Sequence, residues 1–125
     1  NRIVRLGHRL WSGPAHRVGC ILREGDEVAG FRVIHAPGHT PGHIVFFREA
    51  DRVLVAGDVL ANINFLTGKP GLRQPPKFFS ADPAQNRQSI RLVAALQPAV
   101  VCFGHGPPIR DPALLERYAS QAALR

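Results

Sequence analysis

His39, Asp58 and His105 are the residues of this 125-residue chain whose side chains and placement best suit chemistry. Imidazole nitrogen and carboxylate oxygen are good ligands for zinc, iron or manganese, and a carboxylate can bridge two cations because it has two oxygens. Each of the three follows a short apolar run: residues 31–35 precede His39, Val53-Leu54-Val55 precedes Asp58, and Val100-Val101-Cys102-Phe103 precedes His105. If those runs are strands of one sheet, their ends share an edge and the three side chains converge there. Gly38, Gly57, Gly104 and Gly106 flank them and permit the tight turns that convergence needs.

The elements that must hold these residues can be read from pattern and punctuation. Strands are expected over 31–35, 43–48, 52–56 and 99–103, with Glu49-Ala50-Asp51 as the polar break of a hairpin. Residues 62–80 contain Gly68, Pro70-Gly71 and Pro75-Pro76 among scattered apolar residues, which is loop chemistry. Asp82-Pro83 supplies an N-cap and a proline at the first helical position, with Gln85 as capping-box partner. The helix it opens should run to about Leu96, burying Ile90, Val93 and Ala94, before Pro98 stops it. Asp111-Pro112 repeats the cap for a last helix carrying Leu114, Leu115, Tyr118 and Ala122. Ile3, Leu6 and Leu10 have helical spacing and, with Trp11, read as packing residues.

The strands are apolar at consecutive positions, the pattern of strands covered on both faces, yet two helices can cover only one. The other face then needs a missing N-terminal segment or a second copy of the chain. The start at Asn1 and the absence of Met also lead us to expect a preceding segment. No apolar run is long enough to cross a bilayer, so no membrane span is expected. Cys20 and Cys102 read as reduced, structural thiols, which favours the cytoplasm. The formal charge of +7 would attract an anionic substrate, but the basic residues are scattered and the preferred reading is a solvated surface.

Taken together, Pro37-Gly38-His39-Thr40-Pro41-Gly42-His43, Val55-Ala56-Gly57-Asp58 and Phe103-Gly104-His105-Gly106-Pro107 resemble the metallo-β-lactamase superfamily. The motifs appear in the family's order and roughly its spacing, and the match covers most of the chain. The resemblance implies that His39 ligates one metal, His105 the other, and Asp58 bridges them, with two zinc ions per intact site and iron or manganese as alternatives. It implies an α+β fold, half of an αββα sandwich in which a mixed or antiparallel sheet carries helices on one face. Residues 1–125 would be a single domain, the C-terminal half of that fold. The family's His-x-His-x-Asp-His signature, which supplies the other ligands and the aspartate that orients water, is absent; His8 and His16 do not have its spacing.

The implied function is metal-dependent hydrolysis of an ester, thioester, amide or phosphoester in the intact protein, by water that a metal activates, with the present segment alone inactive. Two alternatives stand beside it: a non-catalytic fragment that pairs its exposed sheet face with another copy, and an iron-dependent oxidoreductase of the same fold. A nuclease is a further, less favoured reading. Lys69, Arg73 and Lys77 in the long loop would clamp an anionic small-molecule substrate, or else simply solvate the loop. Phe65, Phe78 and Phe79 line an apolar pocket or tack the loop onto the core, the second being preferred. His35 and His43 read as structural, and Thr40 either bonds near the site or steadies its turn.

Overall fold

The computed structural model describes Pro14 and residues 16–122. The N-terminal helical spacing of Ile3, Leu6 and Leu10 lies outside the described residues. A five-stranded sheet is built from β1 (Glu27–Val28), β2 (Phe31–His35), β3 (Ile44–Arg48), β4 (Val53–Gly57) and β5 (Val100–Phe103). Strand order in the sheet follows chain order; the first three pairings are antiparallel, and β4 pairs with β5 in parallel. The mixed sheet and the hairpin agree with the sequence reading, whereas β1, two exposed residues without an apolar run, left no signal in it.

A parallel neighbour requires a crossover, and α1 (Pro83–Ala95) supplies it between β4 and β5. Its start is capped by Asp82 as the sequence predicts, the carboxylate accepting hydrogen bonds from the backbone N–H groups of Ala84 and Gln85, both at 2.9 Å. Gln85 does not complete a capping box, because Asp82 N–H donates instead to Gly38 O. The second helix, α2 (Pro112–Ala122), opens in the same way on Asp111, whose side chain accepts from Ala113 N–H at 3.0 Å. Both helices lie on one face of the sheet. Ile90 and Val93 of α1 and Leu115 and Ala119 of α2 pack with Ile34, Val45, Phe47, Leu54, Ala56 and Val101 in one continuous core.

The opposite face is also apolar. Register places Val33, Phe46, Val55 and Cys102 in a single row across four strands, on the side chains' alternate face. Val33 is buried, Phe46 and Cys102 are half-buried, and Val55 is 37% exposed. The consecutive apolar runs therefore feed two faces, and among the described residues only one carries helices. Both cysteines are free, and Cys20, which the sequence suggests is a structural thiol, is exposed and has no place in the core cluster. Among the described residues no helix is long and apolar enough to cross a membrane.

Because the α1 cap satisfies two otherwise unpaired N–H groups, Asp82→Ala is expected to lower unfolding free energy by about 1 kcal/mol, read as a lower urea midpoint at unchanged slope. An unaltered midpoint would mean that the Asp82 carboxylate does not hold the start of α1.

Candidate functional site

Three turns at one end of the sheet carry the candidate ligands, and α1 braces two of them. The turn after β2 holds His39. Its Gly38 has φ +131° and lies so close to α1 that a Cβ there would come within 2.2 Å of the Asn86 nitrogen. Glycine is therefore required twice over, by backbone conformation and by contact. Asp82 N–H donates to Gly38 O at 2.8 Å, Ala81 N–H to His39 O at 3.0 Å, and Ser89 Oγ to Pro37 O at 2.7 Å. The turn after β4 holds Asp58, and there Asn86 Nδ2 donates to Val59 O at 3.0 Å. One helical turn of α1 thus fixes both segments.

A second asparagine secures the third turn. Buried Asn62 donates from Nδ2 to Pro107 O at 2.8 Å and from its backbone to His105 O at 2.9 Å. Its Oδ1 accepts from Gly71 N–H at 3.0 Å, which ties the long loop to the same point. Gly106, with φ +98°, packs against Asn62 so closely that a Cβ would sit 2.3 Å from the Asn62 carbonyl oxygen.

These braces bring His39, Asp58 and His105 together. His39 Nε2 lies 4.0 Å from Asp58 Oδ2, and His105 Nε2 lies 3.7 Å from Asp58 Oδ1. Each carboxylate oxygen faces a different imidazole, yet both separations exceed a hydrogen bond. Asp58 Oδ1 and His39 Nδ1 are buried without a hydrogen-bond partner among the described residues. A buried carboxylate oxygen left unpaired is costly, so a cation would relieve it, and the nitrogen and oxygen donors suit a transition metal. Among the described residues no group of three or more His, Cys, Asp or Glu side chains is disposed to hold a metal ion by itself. The trio fits such an ion as part of a larger ligand set.

His43 adds a contact that the structural reading of this residue does not specify. Its Nε2 accepts a hydrogen bond from Asp58 N–H at 3.1 Å, so the neutral ring carries its proton on Nδ1. Burial, and after it the neighbouring His39, holds the His43 imidazole below its ordinary value of 6.5. Its edge also stands against the His39 ring, with centroids 6.1 Å apart. His35 is exposed, its Nε2 3.0 Å from Pro41 O, in keeping with a turn-stabilising role.

An open cavity of about 680 Å³ runs from the trio along the long loop, lined by His39, Asp58 and His105 and by Phe65, Leu66, Phe78 and Phe79. The preferred expectation that Phe65, Phe78 and Phe79 tack the loop down is corrected here. All three are exposed, and the Phe65 ring stands edge-on to His105 at 5.5 Å. The tacking is done instead by a backbone bridge between Ala61 and Arg73, by Leu72 against the core, and by Gln74 N–H donating to Tyr118 Oη at 2.8 Å. Lys69, Arg73 and Lys77 are absent from the cavity wall. The Arg73 guanidinium turns back to Gly71 O at 3.3 Å, and Lys77 lies beside a separate surface depression with Arg87 and Gln121. The loop is also less irregular than its composition suggests, since Lys77–Phe79 forms a short 3-10 turn.

Asn62, Asn86, Ser89 and the Asp58 contact of His43 were not singled out from the sequence. For Asn86 and Ser89 a signal exists: they are polar positions on the same helical stripe as Ile90 and Val93, where burial demands a hydrogen-bond partner elsewhere. Asn62 offers none, because an asparagine in a loop is ordinary.

Comparison with known proteins agrees with this architecture. Residues 20–105 match the profile of the Metallo-beta-lactamase superfamily. Over 82 residues the chain is 42% identical to the probable metallo-hydrolase YflN of Bacillus subtilis (strain 168), covering 61% of this chain and 31% of that protein. Over 98 residues it is 37% identical to the probable metallo-hydrolase YybB of the same strain, covering 78% of this chain and 42% of the relative. Among solved structures it superposes on TTHA1623 in a di-iron-bound form with a TM-score of 0.66 and 29% identity, over 90% of this chain and 54% of that one. The chain belongs to the metallo-beta-lactamase superfamily. It spans less than half the length of either Bacillus relative.

The depressed His43 value has a sign that can be measured. Unfolded chain takes up a proton on this residue at about pH 6.5 while the folded protein resists it, so stability is present above that pH and is lost as pH falls towards the folded value. His43→Gln keeps an acceptor for Asp58 N–H but cannot titrate. Urea midpoints between about pH 5 and 8 are expected to fall more steeply on acidification for the native chain than for H43Q. Parallel curves would show that His43 does not resist protonation in the fold.

Proposed function

We propose that the intact protein is a metal-dependent hydrolase and that this segment contributes His39, Asp58 and His105 to its metal ligands, as the C-terminal half of the domain. One observation carries the proposal: Asp58 stands between two imidazoles, one carboxylate oxygen towards each, with Oδ1 buried and unpaired. His39 and His105 would then serve separate ions and Asp58 would bridge them. Zinc is the proposed metal, with iron as the alternative, since TTHA1623 holds two irons on the same fold. The remaining ligands would come from the part of the domain that the relatives have beyond the stretch matched here.

Metal ions in such a site lower the pKa of bound water and polarise the carbonyl or phosphoryl oxygen of a substrate. The chain's own residues have a positioning task. Asn86 and Ser89 hold the turns of Asp58 and His39 against α1, Asn62 holds the turn of His105, and His43 keeps Asp58 in place through its backbone N–H. YflN and YybB, named as probable metallo-hydrolases, support hydrolysis over redox chemistry.

Two variants of the intact protein separate the metal role from folding. Asp58→Asn should reduce bound metal, measured by inductively coupled plasma mass spectrometry after dialysis, and abolish hydrolysis of ester, thioester and phosphoester test substrates. In Gly104→Ala the new Cβ would lie 2.4 Å from Asp58 Oδ1, the movable end of a side chain. That variant should melt near the native temperature yet bind metal about tenfold or more weakly. Full metal content in both variants would remove Asp58 from the ligand set and the proposal with it.

A further inference from the structure

The wall of the cavity beside His39, Asp58 and His105 is hydrocarbon. Phe65, Leu66, Phe78 and Phe79 are exposed there, Leu66 by 97% and Phe78 by 81%, and Ala61, Pro75 and Pro76 complete the lining. Large apolar side chains gathered in one open cavity are not dispersed surface residues; they mark a surface that gives up water to something apolar. The volume of about 680 Å³ suits a small organic molecule. Charge gives the complementary constraint. Among the described residues no Lys or Arg lines this space, and Lys69, Arg73 and Lys77, the cations nearest in sequence, are directed elsewhere or lie outside it. A phosphoester or other anionic substrate would therefore bring its charge against hydrocarbon, with no described Lys or Arg on the wall to meet it.

We propose that this cavity selects a neutral carbonyl ester or thioester with an extended hydrocarbon arm, the arm lying along Phe65, Leu66, Phe78 and Phe79 and the carbonyl carbon beside the histidine and aspartate trio. The inference rests on the hydrolase reading for its reaction and on the apolar wall for its specificity. In that reaction water adds to the carbonyl carbon and the carbon–oxygen or carbon–sulfur bond breaks. The products are a carboxylate, an alcohol or thiol, and one proton. The loop between β4 and α1 supplies the recognition surface, while the turns braced by Asn62 and Asn86 supply the reacting end. The edge-on contact of Phe65 with His105 joins the two regions.

Two measurements on the intact protein test the reaction and the specificity separately. First, straight-chain alcohols from ethanol to octanol, neutral and not hydrolysable, are titrated calorimetrically into chelator-treated protein and into zinc-loaded protein. Affinity should rise by about threefold per added methylene while the arm lies within the wall, in both forms. The double substitution Leu66→Ser with Phe78→Ser should flatten that rise, whereas replacing Lys69, Arg73 and Lys77 together with Ala should preserve it, with melting temperatures showing that both variants fold. Second, kcat/KM is compared across nitrophenyl esters of the same chain lengths and a nitrophenyl phosphate. The native protein should favour longer acyl chains, and L66S with F78S should lose that preference. A steep rise in affinity without hydrolysis of any ester would uphold the apolar specificity and sink the hydrolase reading. Affinity independent of chain length, or no binding at any length, would overturn the specificity and leave the wall as a packing surface for other parts of the protein; so would preferred turnover of the phosphate.

Discussion

The first turns of α1 pack directly onto the segments that carry two candidate ligands, and the rest of the site depends on that contact. Gly38 and the Asn86 backbone approach so closely that no side chain fits between them. Asn86 Nδ2 and Ser89 Oγ then donate to Val59 O and Pro37 O. Loops ordinarily move more than the elements they join, yet these two are held by a helix that is itself capped by Asp82 and packed on the sheet. Rigid support of this kind is what a site needs if ligand positions are to be fixed before any ion arrives.

Much of this arrangement is legible in the residues alone. Asp82-Pro83 and Asp111-Pro112 mark both helix starts, because a short carboxylate before a proline satisfies N–H groups that a helix leaves free. The apolar runs mark four strands within a residue or two. His39, Asp58 and His105 are legible because each follows a strand and sits next to glycine, and the structure brings their side chains to within 4.0 Å pairwise through Asp58. What escapes the sequence is the bracing. Asn62, Asn86 and Ser89 act through backbone carbonyls tens of residues away, and nothing in their local pattern names those partners.

The long loop shows the same division in another form. Its composition offers cations and aromatics as rival contacts for a ligand, and local pattern cannot choose between them. The choice follows from how the loop is anchored. The Ala61–Arg73 bridge, Leu72 and the hydrogen bond to Tyr118 fix its middle, which leaves Phe65, Phe78 and Phe79 free to turn outward and draws the Arg73 guanidinium back onto the backbone. Tertiary anchoring, rather than residue type, decides which side chains meet the cavity.

The sheet's strand order has a kinetic meaning as well. His39 and Asp58 flank a single antiparallel hairpin, so joining them closes only a short stretch of chain. His105 arrives by the parallel pairing of β5 with β4, after the loop and α1 have been laid across the sheet. Closing that longer path forfeits more chain entropy and postpones the contact until the helix has docked. His39 and Asp58 are thus joined by a short stretch of chain and His105 by a long one, although α1 must dock before either turn of the first pair is held in place.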